Sequence, residues 1–355
     1  MEILAALFAA SLASAQTPAL SSSPPAAFAV STASAPSVST AAAADVEVTL
    51  SAVGDIRLSG PIADIARDGG VEAPSKGVKD LLAADIEFAN LETPITQRGD
   101  KTPKKWNFRS KPRDLKIVRA AGITVVNIAN NHVWDYGREG FLDTLKNLEK
   151  DNWTYVGGGR DRAEAEEVRL FEFEGLTVGI VGLTSTHPEA GWAGKDKPGV
   201  AYSDFDRMAG IVGRAKARCD VLVVSFHGGT ELADDANDIQ KAVAHAAIDA
   251  GADLFLGHHP HVLQPVEMYK GKPILYSLGN FLFVSPTPTT RPEVIVRARL
   301  AKDGVRRLDL IPLDGNWGRP KPASPEIAAA ARAALDRLGA LEARPDLIHF
   351  GGEAK

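Results

Sequence analysis

The chain has 355 residues, of which 45% are hydrophobic and 24% are charged, so it is long and apolar enough to bury a sizeable core. Its formal net charge of −5, without any dense run of lysine and arginine, argues against nucleic-acid binding through a basic face. The single cysteine, Cys219, excludes an intrachain disulfide and a cysteine-rich zinc site.

Residues 1–15 predict a signal peptide for export. They are apolar and end in Ala13-Ser14-Ala15, the small-x-small pattern of a signal-peptidase site. The apolar stretch is too short for a membrane span, so we expect an exported protein, periplasmic or extracellular, with no stable span in its mature form. Residues 16–45 are almost entirely Ala, Ser, Pro and Thr, which predicts a disordered linker. The alternative is that the first residues are an unstructured Ala-rich tail.

From residue 46 onward, apolar runs alternate with segments of helical spacing. This alternation, followed by hairpins, predicts an α/β layered domain with a mixed sheet. The predicted elements are strand 46–55, helix 77–84, strand 85–92, helix 112–122, strand 123–132, helix 137–152, strand 154–159, hairpin 168–185, helix 207–218, strand 220–229, helix 234–251, strand 252–259, hairpins 262–283 and 293–313, and helix 325–342.

Polar residues follow five of these strands at their carboxyl ends, where ligands bind in open α/β sheets. Imidazole, carboxylate and amide groups without thiolate suit Mn²⁺, Fe²⁺ or Zn²⁺. Two such ions roughly 3.5–4 Å apart can activate a water. Taken singly, an Asp could be a helix cap, paired Asn a turn, and a His a core residue. The residues concerned are Asp55, Asn90, Glu92, Asn130, Asn131, His132, Asp135, His227, His258, His259 and His261.

The last of these groups lies in the sequence "GHHPH". His259 and His261 flank Pro260, and a residue before proline favours an extended backbone. Alternate side chains of an extended chain point to one side, so we expect these two imidazoles to share a face. His258 leaves the register open by one residue, so any two of the three histidines could be ligands. The alternative is a polar loop rich in histidine.

Six motifs spread over residues 46–312 are "AVGDIRLSG", "DIEFANLETPIT", "NIANNHVWDYGREGFLDTL", "VSFHGGTE", "GHHPHVLQPVE" and "ILYSLGNFLF". Together, in this order, they resemble the CapA family of poly-γ-glutamate biosynthesis proteins, which is similar to the calcineurin-like metallophosphoesterases. The resemblance implies a layered α/β/β/α sandwich with mixed central sheets over residues 46–320. Residues 321–355 would then form a C-terminal helix and tail.

The resemblance also implies roles for the polar residues. His132, oriented by Asp135, would give a proton to the leaving group. His258 is a further candidate catalytic residue, and Asn90 and Asn130 are candidate substrate contacts. The metal ligands would be Asp55, Glu92, Asn131, His227, His259 and His261.

Position 57 departs from the metallophosphoesterase pattern, which has a metal-binding histidine where this chain has Arg57. A guanidinium stays protonated and has no acceptor, so it cannot bind a metal ion. One of the two metal sites therefore lacks a ligand. We expect Arg57 to hold an anionic group of the substrate instead. The alternative is a solvated side chain.

The resemblance implies an exported enzyme with one or two divalent ions, Mn, Fe or Zn, that hydrolyses or transfers an amide. Its substrate would be poly-γ-glutamate or a related anionic envelope polymer, and its partner a membrane-associated synthesis machinery. A loop with Lys104, Lys105, Arg109 and Arg113 could bind the polyanion. Two alternatives stay open: a metallophosphoesterase that cleaves phosphate esters, and a non-catalytic assembly factor of a capsule machine.

Overall fold

The computed structural model describes residues 46–186, 188–284 and 287–351. The predicted signal peptide and linker, residues 1–45, lie outside the described residues. Within the described part of the chain, no helix is both long and apolar enough to cross a membrane.

The order of elements follows the predicted alternation of strands and helices. The strands are β1 (Val48–Ile56), β2 (Ile86–Leu91), β3 (Val125–Asn127), β4 (Thr154–Val156), β5 (Gly158–Gly159), β6 (Arg169–Phe173), β7 (Leu176–Thr184), β8 (Gly199–Val200), β9 (Val221–His227), β10 (Leu254–His258), β11 (Val266–Tyr269), β12 (Lys272–Leu275), β13 (Pro292–Ala301), β14 (Gly304–Asp314), β15 (Lys321–Pro322) and β16 (Ile348–Phe350). The helices are α1 (Pro61–Gly69), α2 (Lys79–Leu82), α3 (Leu115–Ala120), α4 (Gly137–Lys150), α5 (Arg162–Ala165), α6 (Phe205–Lys216), α7 (Asp238–Asp249), α8 (Pro325–Leu335) and α9 (Ala340–Ala343).

Two mixed sheets form the centre of the described fold. The first has the order β15-β14-β13-β1-β2-β3-β4, with β16 also paired to β14. The second has the order β11-β12-β10-β9-β7-β6. Strands β1 to β4 run parallel to one another, as do β7, β9, β10 and β12. The outer strands β6, β11, β13, β14 and β15 pair antiparallel with their neighbours, and β16 pairs parallel with β14. The predicted mixed sheets are therefore confirmed.

Helices cover the outer face of each sheet and form an apolar core with it. A third apolar core, the inner core, fills the space between the two sheets. Leu50 of β1 and Val223 of β9 belong to this inner core. Phe141 of α4 packs with the core on the outer face of the first sheet, and Met208 of α6 with that of the second. The order is helix, sheet, sheet, helix, which confirms the predicted α/β/β/α layers. Parallel strands covered on both faces need continuous apolar runs, which explains why β9 is buried along its whole length.

Several parts of the fold differ from the predicted elements. The sequence does not predict the short elements α5 and β8, nor helix α1, in which only Ile62 and Ala66 are buried. The segment predicted as a C-terminal helix and tail contains β15 and β16, which pair with β14 of the first sheet. The boundary expected at residue 320 thus runs through a sheet. Strands of two or three residues are too short to show a period in the sequence.

Candidate metal centre

The parallel strands of both sheets end on the same side of the molecule and bring carboxylates and imidazoles together there. Asp55 lies near the end of β1, Glu92 follows β2, and His227 is the last residue of β9. Nδ1 of His227 lies 4.0 Å from Oδ1 of Asp55, and its Nε2 lies 3.6 Å from Oε1 of Glu92. The sequence predicts a single edge, whereas the structure builds the site from two facing sheets.

Two groups of ligand atoms meet at Glu92. The Asp55 group consists of Asp55, Glu92 and His261, and the His227 group consists of Glu92, His227 and His259. Within each group the ligand atoms lie within 4.8 Å of one another. Glu92 is common to both, so its two oxygens are placed as a bridging carboxylate would be. Oδ1 of Asn131 adds an amide oxygen 3.0 Å from Nε2 of His227.

Of the three neighbouring histidines, His259 and His261 supply atoms to these groups. Among the described residues, His258 belongs to neither group, although its Nδ1 lies 3.6 Å from Oδ1 of Asp55. His258 is completely buried behind Asp55. Because His258 is buried and supplies no atom to either ligand group, the geometry does not support the catalytic role expected for it.

The expectation that an extended backbone aligns His259 and His261 is wrong. Their φ angles are 100° and 60°, which places both residues in the left-handed backbone region that residues other than glycine rarely adopt. The chain turns after β10 instead of continuing as a strand, and the two rings reach different ligand groups with their centroids 6.2 Å apart. Backbone strain of this kind persists where the surrounding structure holds it, and it is common at functional sites.

The sequence predicts that Asn90 and Asn130 contact substrate. In the structure both are buried, and their side-chain amides form hydrogen bonds within the protein. Asn90 donates a hydrogen bond of 2.8 Å to Oδ1 of Asp55, and its Nδ2 lies 3.0 Å from Nδ1 of His227. Asn130 donates to the carbonyl of Leu91 and accepts from the backbone N–H of His132. Both amides therefore hold ligands and loops in place, and the geometry does not support their expected contact with substrate.

Asn280 belongs to the centre, but no role was predicted for it. Its Oδ1 lies 2.9 Å from Nδ1 of His261, and the neighbouring Phe281 donates its N–H to the carbonyl of Asp55. Asn280 follows β12, which runs parallel to β10. The rule that polar residues collect after parallel strands would have found it.

The electrostatics of the centre suit a divalent cation. Burial raises the pKa of Glu92 well above its ordinary value, and within the described structure neither of its carboxylate oxygens has a hydrogen-bond partner. Burial lowers the pKa of His227 strongly and that of His259 to about 3, so both are neutral, as metal ligands must be. An unpartnered buried carboxylate beside neutral imidazoles is costly unless a cation joins them.

His261 behaves differently because it faces two carboxylates. Burial acts to lower its pKa, but the charges of Glu92 and Asp55 outweigh burial and raise the pKa to about 9. Burial alone would likewise raise the pKa of Asp55, yet the hydrogen bond and charge of His261 bring it below the usual value. The His261 imidazolium thus balances the negative charge of these carboxylates, and it would have to release its proton to bind a metal ion. The donor set of both groups fits such an ion.

His132 lies beside the ligand groups with its ring held on two sides. Its Nδ1 is 2.7 Å from Oδ2 of Asp135, and its Nε2 is 3.9 Å from Oε1 of Glu92. The ring of Phe108 stacks on it at a centroid distance of 3.8 Å. Because Asp135 fixes Nδ1, the other nitrogen is the one that faces the centre.

Lys104 supports this arrangement from the loop that was expected to bind a polyanion. Its Nζ lies 2.5 Å from Oδ1 of Asp135 and donates to the carbonyl of Asn131 at 2.7 Å. Three further basic residues of that loop are exposed: Lys105, Arg109 and Arg113.

Arg57 lies at the mouth of the centre, half-buried between two aromatic rings. Its guanidinium carbon is 4.6 Å from the ring centroids of both Phe108 and Phe283. The Phe283 ring also lies against His261, with a centroid distance of 4.6 Å. Stacking of this kind holds a guanidinium in one orientation. Nη2 of Arg57 donates to the carbonyl of Val284 at 3.4 Å, whereas among the described residues its buried Nε has no hydrogen-bond partner and is available to an anion.

Residues 49–285, which contain both ligand groups and His132, match the family described as "Bacterial capsule synthesis protein PGA_cap". The chain belongs to this family. The resemblance inferred from the sequence motifs is thereby confirmed.

Individual relatives of this capsule synthesis family match most of the chain. The "PGA biosynthesis protein CapA" of Bacillus subtilis is 34% identical over 276 residues, which covers 77% of this chain and 73% of the relative. The "Capsule biosynthesis protein CapA" of Bacillus anthracis is 33% identical over 279 residues, covering 76% and 68%. A "Probable polyglutamine synthesis accessory protein" of Mycobacterium tuberculosis is 34% identical over 215 residues, covering 57% of each chain.

Solved structures show a weaker likeness. A 5′-nucleotidase precursor from Thermus thermophilus has a TM-score of 0.43 and 16% identity, covering 84% of this chain and 60% of that one. The NAD nucleotidase of Haemophilus influenzae has a TM-score of 0.42 and 13% identity, covering 87% and 65%. Likeness at these scores is too slight to assign an activity, and the α/β class follows from the layers themselves.

Proposed function

We propose that this chain is a metal-dependent enzyme that hydrolyses or transfers γ-glutamyl amide bonds in poly-γ-glutamate or a related anionic envelope polymer. The names of the relatives supply the polymer, and the candidate metal centre supplies the chemistry. One observation carries the proposal: Glu92 is fully buried, shared by both ligand groups, and has no hydrogen-bond partner for either oxygen among the described residues.

The residues divide into two coordination sets. Asp55, Glu92 and His261 would hold one ion, and the His227 group together with Asn131 would hold the other. A bound divalent ion polarises the scissile carbonyl and lowers the pKa of a bound water. Arg57 lies beside the first set, where its guanidinium can bind an α-carboxylate of the polymer, the carboxylate that γ-linkage leaves free.

His132 is placed to serve the leaving group. Hydrolysis of an amide breaks the C–N bond, forms a C–O bond from water, and requires a proton on the departing nitrogen. Asp135 occupies Nδ1 of His132, so Nε2 is the atom that can give this proton. Lys104 fixes Asp135 in turn, and Phe108 keeps the ring from rotating.

A cleft for the substrate opens on the other side of the centre. A cavity of about 400 Å³ is lined by Asn131, Thr186, Ile239 and His259, among other residues. Its size is within the range of small-molecule sites, so it can hold one or two residues of a polymer next to the His227 group.

Turnover measurements distinguish this proposal from its two rivals. The purified protein is analysed for bound metal and then assayed on γ-glutamyl oligomers and on p-nitrophenyl phosphates, with and without Mn²⁺. We expect metal-dependent cleavage of the oligomers. Cleavage of the phosphates alone would instead identify a phosphoesterase, and a metal-free protein inactive on both would identify an assembly factor.

A matched pair of histidine variants tests the role of His132. His132→Ala should retain the metal and lower kcat by about 10²–10⁴-fold, the usual contribution of a general acid. His245→Ala serves as the control, because His245 stacks on Tyr269 and pairs with Glu267 outside the centre. Equal kcat values for the two variants would remove His132 from the mechanism.

Export is part of the same proposal. Residues 1–15 have the pattern of a signal peptide, and an enzyme for an envelope polymer would work outside the cytoplasm beside the membrane-associated synthesis machinery. Fusion of residues 1–45 to a reporter that is active only after export tests this. A reporter that stays inactive would contradict it.

A further inference from the structure

A second cavity lies one aromatic ring away from the candidate metal centre. It has a volume of about 250 Å³, and Phe283 forms one of its walls. The same ring contacts His261 and Arg57 of the centre, with centroid distances of 4.6 Å in both cases. Glu293, Arg291 and Trp317 also line this cavity, which we call the Glu293 cavity.

Glu293 is a buried carboxyl group that forms no ion pair with any described residue. Only 1% of the residue is exposed, and no described residue donates a hydrogen bond to its Oε2. Burial, and then the charge of Asp314, raise the pKa of Glu293 well above its ordinary value. Such a group is costly in the folded protein. An ammonium group beside it would stabilise the ionised form and remove that cost.

The basic residues nearby are turned towards a different acid. Nε and Nη2 of Arg291 donate to Asp314 at 2.6 and 2.8 Å, and Nζ of Lys321 lies 3.7 Å from Asp314. Within the part of the chain that the structure describes, this leaves Oε2 of Glu293 available to a ligand. Nη1 of Arg291, on a side chain that is 53% exposed, likewise has no described acceptor and can donate to a second group.

The rim of the cavity is shaped by Trp317, which is 66% exposed. Trp317 and the preceding Asn316 have φ angles of 58° and 36°, and Oδ1 of Asp314 accepts the N–H of Asn316 at 3.2 Å. Two successive left-handed residues are unfavourable, so the turn is held in place by its contacts. The face of an exposed indole is a good partner for an ammonium group.

A ligand that carries an ammonium and a carboxylate close together therefore complements the side chains of Glu293, Trp317 and Arg291. The end of a γ-linked glutamyl chain has this chemistry. Because each amide bond uses the side-chain carboxyl, the first residue keeps both its α-ammonium and its α-carboxylate on one carbon. Interior residues have lost the ammonium to the amide bond. The cavity volume, just below the roughly 300 Å³ of small-molecule sites, suits a single residue.

We propose that the Glu293 cavity binds the zwitterionic end of a γ-glutamyl chain, with the ammonium against Glu293 and Trp317 and the carboxylate on Nη1 of Arg291. This inference rests on the polymer substrate proposed above. In this arrangement the protein recognises the end of the polymer chain next to the metal centre, because Phe283 separates the cavity from the Asp55 group.

Binding measurements without turnover test the inference. Calorimetry compares γ-glutamylglutamate with its N-acetylated form, which lacks the ammonium. The wild-type protein should bind the free form at least about tenfold more tightly, the usual size of a charged hydrogen bond. Glu293→Gln should bind both forms alike. Equal binding of the two forms by the wild-type protein, a preserved preference in Glu293→Gln, or no binding of either form would overturn the inference.

A second variant guards against a folding defect in Glu293→Gln. Trp317→Ala changes an exposed side chain and should weaken binding of the free form only, while Leu338→Ala, at a residue that is 54% exposed elsewhere, should leave binding unchanged. The two proposals fail separately. If a protein without bound metal or turnover still prefers the free amine, the binding role of the Glu293 cavity is supported and the enzymatic activity is contradicted. If the protein cleaves the oligomers but shows no such preference, the enzymatic activity is supported and the binding role of the cavity is contradicted.

Discussion

At the scale of single residues, Glu92 has opposite effects on the stability of the metal-free and the metal-bound protein. It is fully buried and belongs to both ligand groups, and within the described structure its oxygens accept no hydrogen bond. A carboxylate in such a place destabilises the metal-free protein by several kcal/mol once it ionises. A bound cation reverses the sign of this contribution. The residue therefore makes stability depend on the metal.

Glu92→Gln separates these two effects. The neutral amide removes the buried acid, so the metal-free variant should unfold at a Tm no lower than that of the metal-free wild type. It should also lose the rise in Tm that Mn²⁺ gives the wild type, because both ligand groups need this carboxylate. Calorimetric scans with and without Mn²⁺ measure both effects, with Glu72→Gln on the surface as the control. An undiminished Mn²⁺ shift in Glu92→Gln would remove Glu92 from the metal site.

Arg57→His restores the imidazole that the metallophosphoesterase pattern has at this position. Arg57 lies beside the Asp55 group, so we expect the affinity of the ion held by that group to rise at least about tenfold. Residues that only support metal ligands already change affinity by about this factor. Arg57→Gln is the control, since it removes the guanidinium without adding a ligand of comparable strength. Metal titration followed by calorimetry measures both variants. Unchanged stoichiometry and affinity in Arg57→His would contradict the prediction.

At the scale of elements, the segment 276–279 joins the two sheets next to the metal centre. The backbone of Gly279 accepts the N–H of Asp55 in β1, and Leu278 donates to Gly257 in β10, with distances of 3.0 Å in both cases. Only glycine permits this approach. A Cβ on Gly257 would lie 2.0 Å from the carbonyl oxygen of Tyr276. The ligands of both sheets are thus held in register by one loop.

Gly257→Ala should therefore loosen the join between the sheets. Overpacking against a backbone oxygen should lower the free energy of unfolding by about 1–3 kcal/mol. Gly213→Ala in α6 is the matched control, because a Cβ there has no neighbour within 4 Å and alanine favours a helix by about 0.5–1 kcal/mol. Urea unfolding of both variants measures the difference. If Gly257→Ala proved as stable as the control, the close approach would not constrain the fold.

The elements that could be predicted from the sequence are those with a strong local signal. The continuous apolar run of β9 and the helical spacing of α4 have this signal. Helix α1 buries only Ile62 and Ala66, and strand β16 has only three residues, so neither shows it. Side-chain types and strand ends sufficed to bring Asp55, Glu92 and the histidines together, but not to separate their roles.

The parts of the site that could not be predicted depend on contacts between distant residues. Two left-handed residues after β10 decide which histidines face Glu92, and no local rule selects them over an extended chain. The pairing of Lys104 with Asp135 spans a loop and a turn, so composition alone suggested only a polyanion contact for the lysine. Likewise, Asn90 is a polar residue at a strand end, and only its neighbours show that it serves Asp55.

At the scale of the whole molecule, a metal ion would connect the two sheets. The Asp55 group takes Asp55 and Glu92 from the first sheet and His261 from the loop after β10 of the second. The His227 group likewise combines Glu92 with two residues of the second sheet. Away from these carboxyl ends and the loop 276–279, the layers meet through the apolar core between them, which is non-directional. Metal binding should therefore fix the sheet ends more than their middles.

Removal of the metal ion by a chelator should increase the mobility of both sheets at the carboxyl ends of their strands. With free Mn²⁺ at a hundred times its Kd, the loaded protein should be more stable by about 2.7 kcal/mol, and a chelator should abolish this gain. Hydrogen exchange should then rise at the carboxyl ends of β1 and β2 as well as β9 and β10, because each group draws on both sheets. Helix α8, which packs against β13 and β14, serves as the internal control and should keep its protection. A rise confined to β9 and β10 would mean that the ion is held by the histidines alone, and the bridging position of Glu92 would be wrong.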